Sequence, residues 1–313
     1  MKICVLGSGA LGSTFGGLLT EAGFEVYLIA RWEEHVHAMN TEGLKIVEGS
    51  SERVVKVRAT TDCAEAGPAD LVIFLVKSFD TKETIEKAQA LIGPQTMVLS
   101  FQNGLGNEEI LAEVVGPERV IGGKTYVGGV LVGPGHVIAG TKGKYTHIGE
   151  LDGTTTERVT AIADQFNRAG LLTTVSSDIR AMTWDKLLIN VAAGALCAIT
   201  RLPFGGLYKL PEARDCAFEA ISEGIAVAEA DGIELSCKNP EEIWLKAAEG
   251  LPDEFKPSML QSIEKGAKTE IDFINGSVVK WGAKYNIPTP VNKALVAAVK
   301  GIESWIKNYA GKA

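Results

Sequence analysis

The chain opens with an apolar strand, a glycine turn and an apolar helix. Residues 1–12 read Met-Lys-Ile-Cys-Val-Leu-Gly-Ser-Gly-Ala-Leu-Gly, which puts G-x-G-x-x-G at Gly7, Gly9 and Gly12. Alone the pattern is weak evidence; here it follows an apolar strand and opens an apolar helix, the context a dinucleotide turn requires. Gly7 permits the tight turn, Gly9 leaves room for a pyrophosphate, and Gly12 lets the helix pack on the strand. The phosphates then sit at a helix N-terminus, where N–H groups and the helix dipole favour anions. Gly7, Ser8, Gly9, Ala10, Leu11 and Gly12 are therefore the candidate dinucleotide cradle. The competing reading is a glycine-rich βα turn with no ligand.

The first half continues in βαβ rhythm. Val26–Ile29 is a second apolar strand, and residues 44–47 with 54–57 read as a small inserted hairpin. Leu71–Val76 is an unbroken apolar run, as expected of a strand buried on both faces. Asp80 or Thr81 can cap the helix after it, which stops near Gly93-Pro94, before a strand over Met97–Phe101. This alternation implies a doubly wound parallel sheet, an α/β Rossmann-type domain. Residues 120–149, rich in Gly, Val and Thr, read as antiparallel strands that complete or cap the sheet. Beyond residue 176 the pattern is helical to the end. The expected organisation is residues 1–176 as the dinucleotide domain and 177–313 as an all-α substrate or dimerisation domain.

Composition narrows the partners. The 313 residues carry a net charge of −8, which argues against nucleic acid or an anionic membrane as the main partner. Five widely spaced cysteines with no C-x-x-C pair read as reduced thiols of a cytoplasmic protein. The uncharged run Leu187–Thr200 is too short to span a bilayer. His35 and His37 read as surface residues, and no metal is expected.

The second strand ends Leu28-Ile29-Ala30-Arg31, with no carboxylate at its tip. A carboxylate there would repel a 2′-phosphate, whereas a guanidinium binds one with charge-assisted hydrogen bonds. Arg31 thus favours NADPH over NADH, although Glu33 and Glu34 keep NADH open. Lys77 and Asn103 follow two sheet strands, where ligands of such sheets bind. Lys186 and Asn190 enter an uncharged, buried helix four residues apart, on one face. A lysine aimed into a cleft can protonate a carbonyl oxygen as hydride arrives; a helix-end lysine reaching for water is the plainer reading. Glu270 has Phe273 and Ile274 at helical spacing, so its carboxylate needs a polar partner. Ser258-Met-Leu-Gln261 has the form of a capping box, which gives Ser258 a structural alternative. The last helix carries Leu295, Val299, Ile302, Trp305 and Ile306 in one stripe, more often core than interface.

These pieces together resemble the ketopantoate reductases (2-dehydropantoate 2-reductases). The resemblance rests on Gly7–Gly12, Arg31, Val76-Lys77, Gln102-Asn103-Gly104, Lys186–Asn190, Ser258-Met259, Thr269–Asp272, Asn275-Gly276, Gly282 and Ile287–Pro290. It implies NADPH-dependent reduction of a 2-keto acid to the D-2-hydroxy acid, with ketopantoate the first candidate and pantothenate synthesis the pathway. Lys186 would be the general acid and Glu270 its catalytic companion. Asn103, Asn190 and Ser258 would bind substrate, while Arg31, Lys77 and Asn103 would contact the cofactor. A homodimer is plausible on the same grounds. Three positions depart from the family's asparagine pattern: Gly194, Phe204 and Phe255. They suit a bulkier or more apolar substrate, so a D-2-hydroxy acid dehydrogenase acting on a branched or aromatic keto acid is the alternative. A non-catalytic dinucleotide-binding regulator is the alternative of another class.

Overall fold

The computed structural model describes residues 1–310; residues 311–313, the end of the expected second domain, lie outside the described residues. The chain folds as two compact units. Among the described residues, 1–102 and 107–179 form the first, and 103–106 and 180–310 the second. Asn103–Gly106, which a single boundary near residue 176 assigns to the first half, thus belongs with the helices.

In the first unit β1 (Lys2–Leu6) lies in an eight-stranded sheet. It pairs in parallel with β2 (Glu25–Ile29) on one side and β6 (Ala69–Phe74) on the other. β5 (Arg58–Thr60), a short strand outside the sequence reading, closes one edge against β2. On the far side come β7 (Ile92–Ser100), β8 (Val120–Thr125), β11 (Thr146–Glu150) and β12 (Thr173–Val175). The order reverses between β1 and β6, and sheets of this type bind ligands at that switch point. α1 (Ala10–Glu21), α2 (Glu33–Thr41), α3 (Cys63–Ala66), α4 (Thr81–Lys87), α5 (Asn107–Val115) and α6 (Glu157–Arg168) complete the unit. Phe15, Phe101 and Phe166 form the aromatic centre of one face, with centroids 5.1 to 6.2 Å apart. Ile85, Leu111, Phe74 and Val98 pack the other.

Residues 120–149 divide their loyalties, contrary to expectation. β8 is parallel to β7, and the main sheet turns antiparallel between β8 and β11, with β12 parallel to β11. β9 (Gly128–Gly133) and β10 (His136–Gly140) leave it and join β3 (Leu44–Glu48) and β4 (Ser51–Val55) in a separate four-stranded sheet. α1 contacts this sheet as well as β1 and β2, so Gly12–Leu19 are buried without a break. The stretch after α4 also differs: the helical segment has ended by Leu91, and Gly93-Pro94 lies inside β7. The Thr96 hydroxyl accepts the Gly93 N–H and donates to Ala69 O, which holds an irregular strand start in register. Asp80 precedes α4 without a capping bond, because its carboxylate pairs with Arg31 instead.

The second unit contains α7 (Ile179–Thr200), α8 (Phe204–Leu207), α9 (Pro211–Ala230), α10 (Pro240–Ala248), α11 (Ser258–Glu264), α12 (Asn275–Tyr285) and α13 (Pro290–Asn308). α7 is 22 residues long, enough by length and composition to cross a bilayer, yet 67% of its most apolar stretch is buried in the protein. Leu295 and Val299 of the α13 stripe are core, while Trp305 is 56% exposed. Thr289 precedes α13 but makes no side-chain cap. Glu223 of α9 does so instead, accepting the Val291 and Asn292 N–H groups at 2.7 and 2.9 Å.

Polar side chains are buried beneath the ends of β6, β7 and β8. Gln102 donates through Nε2 to Val76 O at 2.9 Å and to Thr81 Oγ1 at 2.7 Å. Lys124, 2% exposed, donates through Nζ to Gln102 O at 2.9 Å. Burial pushes the Glu108 carboxyl up from its usual range, while the Lys124 charge pulls it down. A Lys124→Met variant strands that carboxylate and should cost about 3–5 kcal/mol of stability at neutral pH. Loss of Lys124 raises the folded-state pKa of Glu108 further, so the penalty applies where the unfolded carboxyl is ionised and shrinks on acidification. Thermal unfolding across pH should show this, with Glu108→Gln restoring stability in the double variant. Equal stability of Lys124→Met and the parent at neutral pH would overturn the pairing.

Candidate active site

The glycine turn has the form a dinucleotide needs. Gly7 has φ +95°, and a Cβ there would lie 2.5 Å from Val76 N. A Cβ on Gly12 would lie 2.3 Å from Gly7 O, so only glycine allows this helix to approach its own turn. A Cβ on Gly9 meets nothing within 4 Å, which leaves the open cradle on the ligand side. Gly9 begins α1 with no side-chain cap, so no side chain competes with an anion there. The Gly7 and Ser8 N–H groups both donate to Ile29 O, tying the turn to β2. Ala10 and Leu11 follow it, half-buried at the helix start. These residues fit a dinucleotide pyrophosphate.

Arg31 stands just past β2 with its side chain 79% exposed, ion-paired to Asp80. Lys77 lies exposed at the end of the β6 strand run, immediately after the peptide that Gln102 holds. Thus Gly7–Gly12, Arg31 and Lys77 all belong to the first unit, on loops at the carboxyl ends of β1, β2 and β6.

Asn103, Lys186, Asn190, Ser258 and Glu270 all belong to the second unit. The Asn103 loop is drawn there by its glycine. Gly104 has φ +88°, and a Cβ on it would lie 2.2 Å from Phe273 O. Leu105 N–H then donates to that same carbonyl at 3.0 Å. On α7, Lys186, Asn190 and Gly194 fall four residues apart and so share a face. A Cβ on Gly194 would sit 3.8 Å from Met259 Cε. Met259 lines a shallow surface crevice together with Ser258, Ser262, Glu270 and Ile274. The structure therefore brings Ser258 and Glu270 together and runs the Lys186–Asn190 face toward their neighbour Met259.

Local geometry explains both crevice residues. Glu270 is 6% exposed and precedes a single 3-10 turn, not a continuing α-helix. Thr269 beside it anchors the segment, giving its N–H and hydroxyl to Glu303 Oε1 at 2.7 and 2.6 Å. Ser258 is the first residue of α11, and Pro257 occupies the cap position, so the expected capping box does not form. Gln261 instead donates to Lys256 O. The Ser258 side chain is left to the crevice.

Sequence reasoning missed two residues under the strand ends, Lys124 and Glu108. The signal for Lys124 was a single charge in the otherwise apolar strand Val-Ile-Gly-Gly-Lys-Thr; Glu108 gave none, since Glu108 and Glu109 look alike in sequence. His35, read as a surface residue, is 1% exposed. The second sheet covers it, and no local pattern reveals that sheet's position. His37 is exposed as expected.

Comparisons with known proteins identify the family. The family description ketopantoate reductase PanE/ApbA matches residues 3–153, and its C-terminal counterpart matches residues 178–303. A relative in Pyrococcus horikoshii, named 2-dehydropantoate 2-reductase, is 38% identical over 304 residues, covering 97% of this chain and 98% of the relative. A PanE/ApbA family ketopantoate reductase structure from Ralstonia eutropha JMP134 superposes with a TM-score of 0.90 at 35% identity, covering 98% and 100% of the two chains. A D-mandelate dehydrogenase, solved with NADH and anilino(oxo)acetate, superposes with a TM-score of 0.90 at 29% identity, over 98% and 100%. A Rossmann-type sheet followed by a helical unit, with matches to both parts of the family description, makes this chain a member of the ketopantoate reductase family.

Proposed function

We propose that this protein reduces the C2 carbonyl of ketopantoate to the D-hydroxyl of pantoate, using NADPH, in the cytoplasmic synthesis of pantothenate. The observation that carries this reading is the continuity of the Lys186–Asn190–Gly194 face with the Ser258–Glu270 crevice through Met259. The bound nicotinamide supplies the hydride. Lys186 gives a proton from Nζ to the carbonyl oxygen, neutralising the growing alkoxide. Glu270 holds the lysine and the substrate hydroxyl. The Ser258 hydroxyl donates to the substrate carboxylate, and the Asn103 and Asn190 amides orient the keto group. Lys77 and Asn103 also contact the dinucleotide. We take the working form to be a homodimer, which light scattering of the purified protein would test.

Arg31 is assigned to the cofactor's 2′-phosphate, whose charge would draw the guanidinium from Asp80. Charge-assisted hydrogen bonds contribute about 1.5–3 kcal/mol, so Arg31→Ala should raise the KM for NADPH about 10- to 100-fold. The KM for NADH should stay within about twofold. An equal effect on both cofactors would remove Arg31 from that role.

A second reading has its own support. Phe204 and Phe255 pack against each other with centroids 5.1 Å apart, and Phe204 N–H donates to Phe255 O at 3.0 Å. These aromatic rings stand where the family resemblance expects amides. The 29% identical D-mandelate dehydrogenase has the same fold, so an aromatic or branched 2-keto acid is the alternative substrate.

NADPH oxidation with ketopantoate, 2-ketoisovalerate and benzoylformate separates the readings. Ketopantoate should have the highest kcat/KM, because a site built for its extra hydroxyl discriminates against analogues that lack it. Equal or faster turnover of either analogue would favour the alternative. Lys186→Ala should lower kcat by about 10²–10⁴ with little change in NADPH affinity. A kcat within about tenfold of the parent would take the general-acid role from Lys186.

A further inference from the structure

His35 is buried in α2 beneath the Trp32 indole, with ring centroids 5.4 Å apart and planes 15° from parallel. Its Nδ1 lies 2.9 Å from the backbone nitrogen of Gly135, in the turn joining β9 and β10. A backbone N–H only donates, so Nδ1 is the acceptor and carries no proton. In the neutral ring the proton is then on Nε2, which lies 3.1 Å from Ser13 Oγ. The Ser13 hydroxyl in turn donates to Ser8 O at 3.1 Å. Every direction in this chain is thus fixed: Gly135 N–H to His35, His35 to Ser13, and Ser13 to Ser8.

Its end point is the glycine turn itself. Ser8 lies between Gly7 and Gly9, and Gly9 N–H donates to Gly7 O at 2.8 Å. The Ser8–Gly9 peptide is therefore held at both its oxygen and its nitrogen, and it sets where the N-terminus of α1 points. We infer that neutral His35 is a positioning residue for dinucleotide binding, fixing the Ser8–Gly9 peptide through Ser13. This rests on the reading of the turn as the dinucleotide site.

The imidazolium cannot do the same work. A proton on Nδ1 would face the Gly135 N–H, and the donor would lose its acceptor. Burial lowers the pKa of His35 from the usual 6.5, partly opposed by the Ser8 carbonyl, and so favours the neutral ring. The other charged or titratable groups on the surrounding elements are few. Arg31 is paired with Asp80, and Lys45 of β3 with Glu52. Glu33, Glu34 and His37 are exposed on α2, and His136 follows Gly135.

The test is the NADH dissociation constant of the full-length protein, read by fluorescence from neutral to mildly acidic pH. NADH is the probe because it lacks the 2′-phosphate, which itself titrates in this range. His35→Ala should weaken NADH about tenfold at neutral pH, and Ser13→Ala should do the same. His35→Gln, whose amide can both accept and donate, should recover most of the affinity. Parent affinity should fall as the pH drops below 6.5 and the ring takes up its second proton, whereas His35→Gln should not follow that fall. Parent-like NADH affinity in His35→Ala, or the same pH dependence in the parent and His35→Gln, would overturn this inference alone. Failure of the parent to bind either NADH or NADPH would overturn the dinucleotide reading, and this inference with it.

Discussion

The contact of Gly7 with the end of β6 is the constraint on which the first unit depends. At 2.5 Å from the Val76 nitrogen there is no space for a side chain at Gly7. Leu75 N–H donates to Leu6 O, while Gly7 and Ser8 donate to Ile29 O, so the ends of β6, β1 and β2 are stitched around one turn. That stitching occurs where the strand order reverses and the helices diverge. The backbone fills the inner side of the turn completely, and the open side at Gly9 is the one left to an anion. Arg31 and Lys77 then follow from topology, since each stands just beyond a strand that borders the turn.

Around this turn the protein buries polar groups that water would otherwise hold. An unsatisfied buried amide or charge costs several kcal/mol, so such groups persist only in closed networks. Here each network holds a peptide next to a candidate ligand contact. Gln102 holds Val76 O, the peptide before Lys77, and Lys124 holds Gln102 O, the peptide before Asn103. His35 reaches Ser8 O through Ser13. None of the three holding side chains need touch the ligand. Each uses buried hydrogen bonds to remove freedom from the loop that carries the candidate contact.

What could be read from the sequence divides along the same line. Gly7–Gly12, the run Leu71–Val76 and the Lys186–Asn190 helix announce themselves through local periodicity and spacing, and each lies in the expected type of element. Arg31 beyond β2 was legible because it depends on one strand end. The fate of residues 120–149 was not, since which strands share a sheet is a long-range matter that period-2 patterning does not record. His35 went astray for the same reason: its cover comes from β9 and β10, about a hundred residues away. The Ser258 capping box failed because Pro257 already fits the cap geometry, moving Ser258 one place into the helix. The cap of α13 comes from Glu223, a carboxylate 68 residues away that no local pattern points to.

The departures at Gly194, Phe204 and Phe255 carry a packing logic of their own. Gly194 leaves space that Met259 approaches, at 3.8 Å from where a Cβ would stand, so an asparagine side chain there would compete with the methionine for volume. Phe204 and Phe255 fill each other's neighbourhood, and Tyr208 extends the cluster to Trp244, its ring stacked 4.0 Å away. Phe204, Phe255, Tyr208 and Trp244 thus form one packed aromatic cluster, with two of its members at positions where the family resemblance expects amides. On the proposed reading, the hydrogen bonds that amides at these positions would give a small polar ligand are lost. Its contacts would then fall to the polar groups still assigned to the site, Asn103, Lys186, Asn190, Ser258 and Glu270, with Ser262 beside the last two in the crevice. On the same reading Glu270 would take the substrate hydroxyl, and its recognition is the feature on which the choice between a hydroxylated and an apolar keto acid turns.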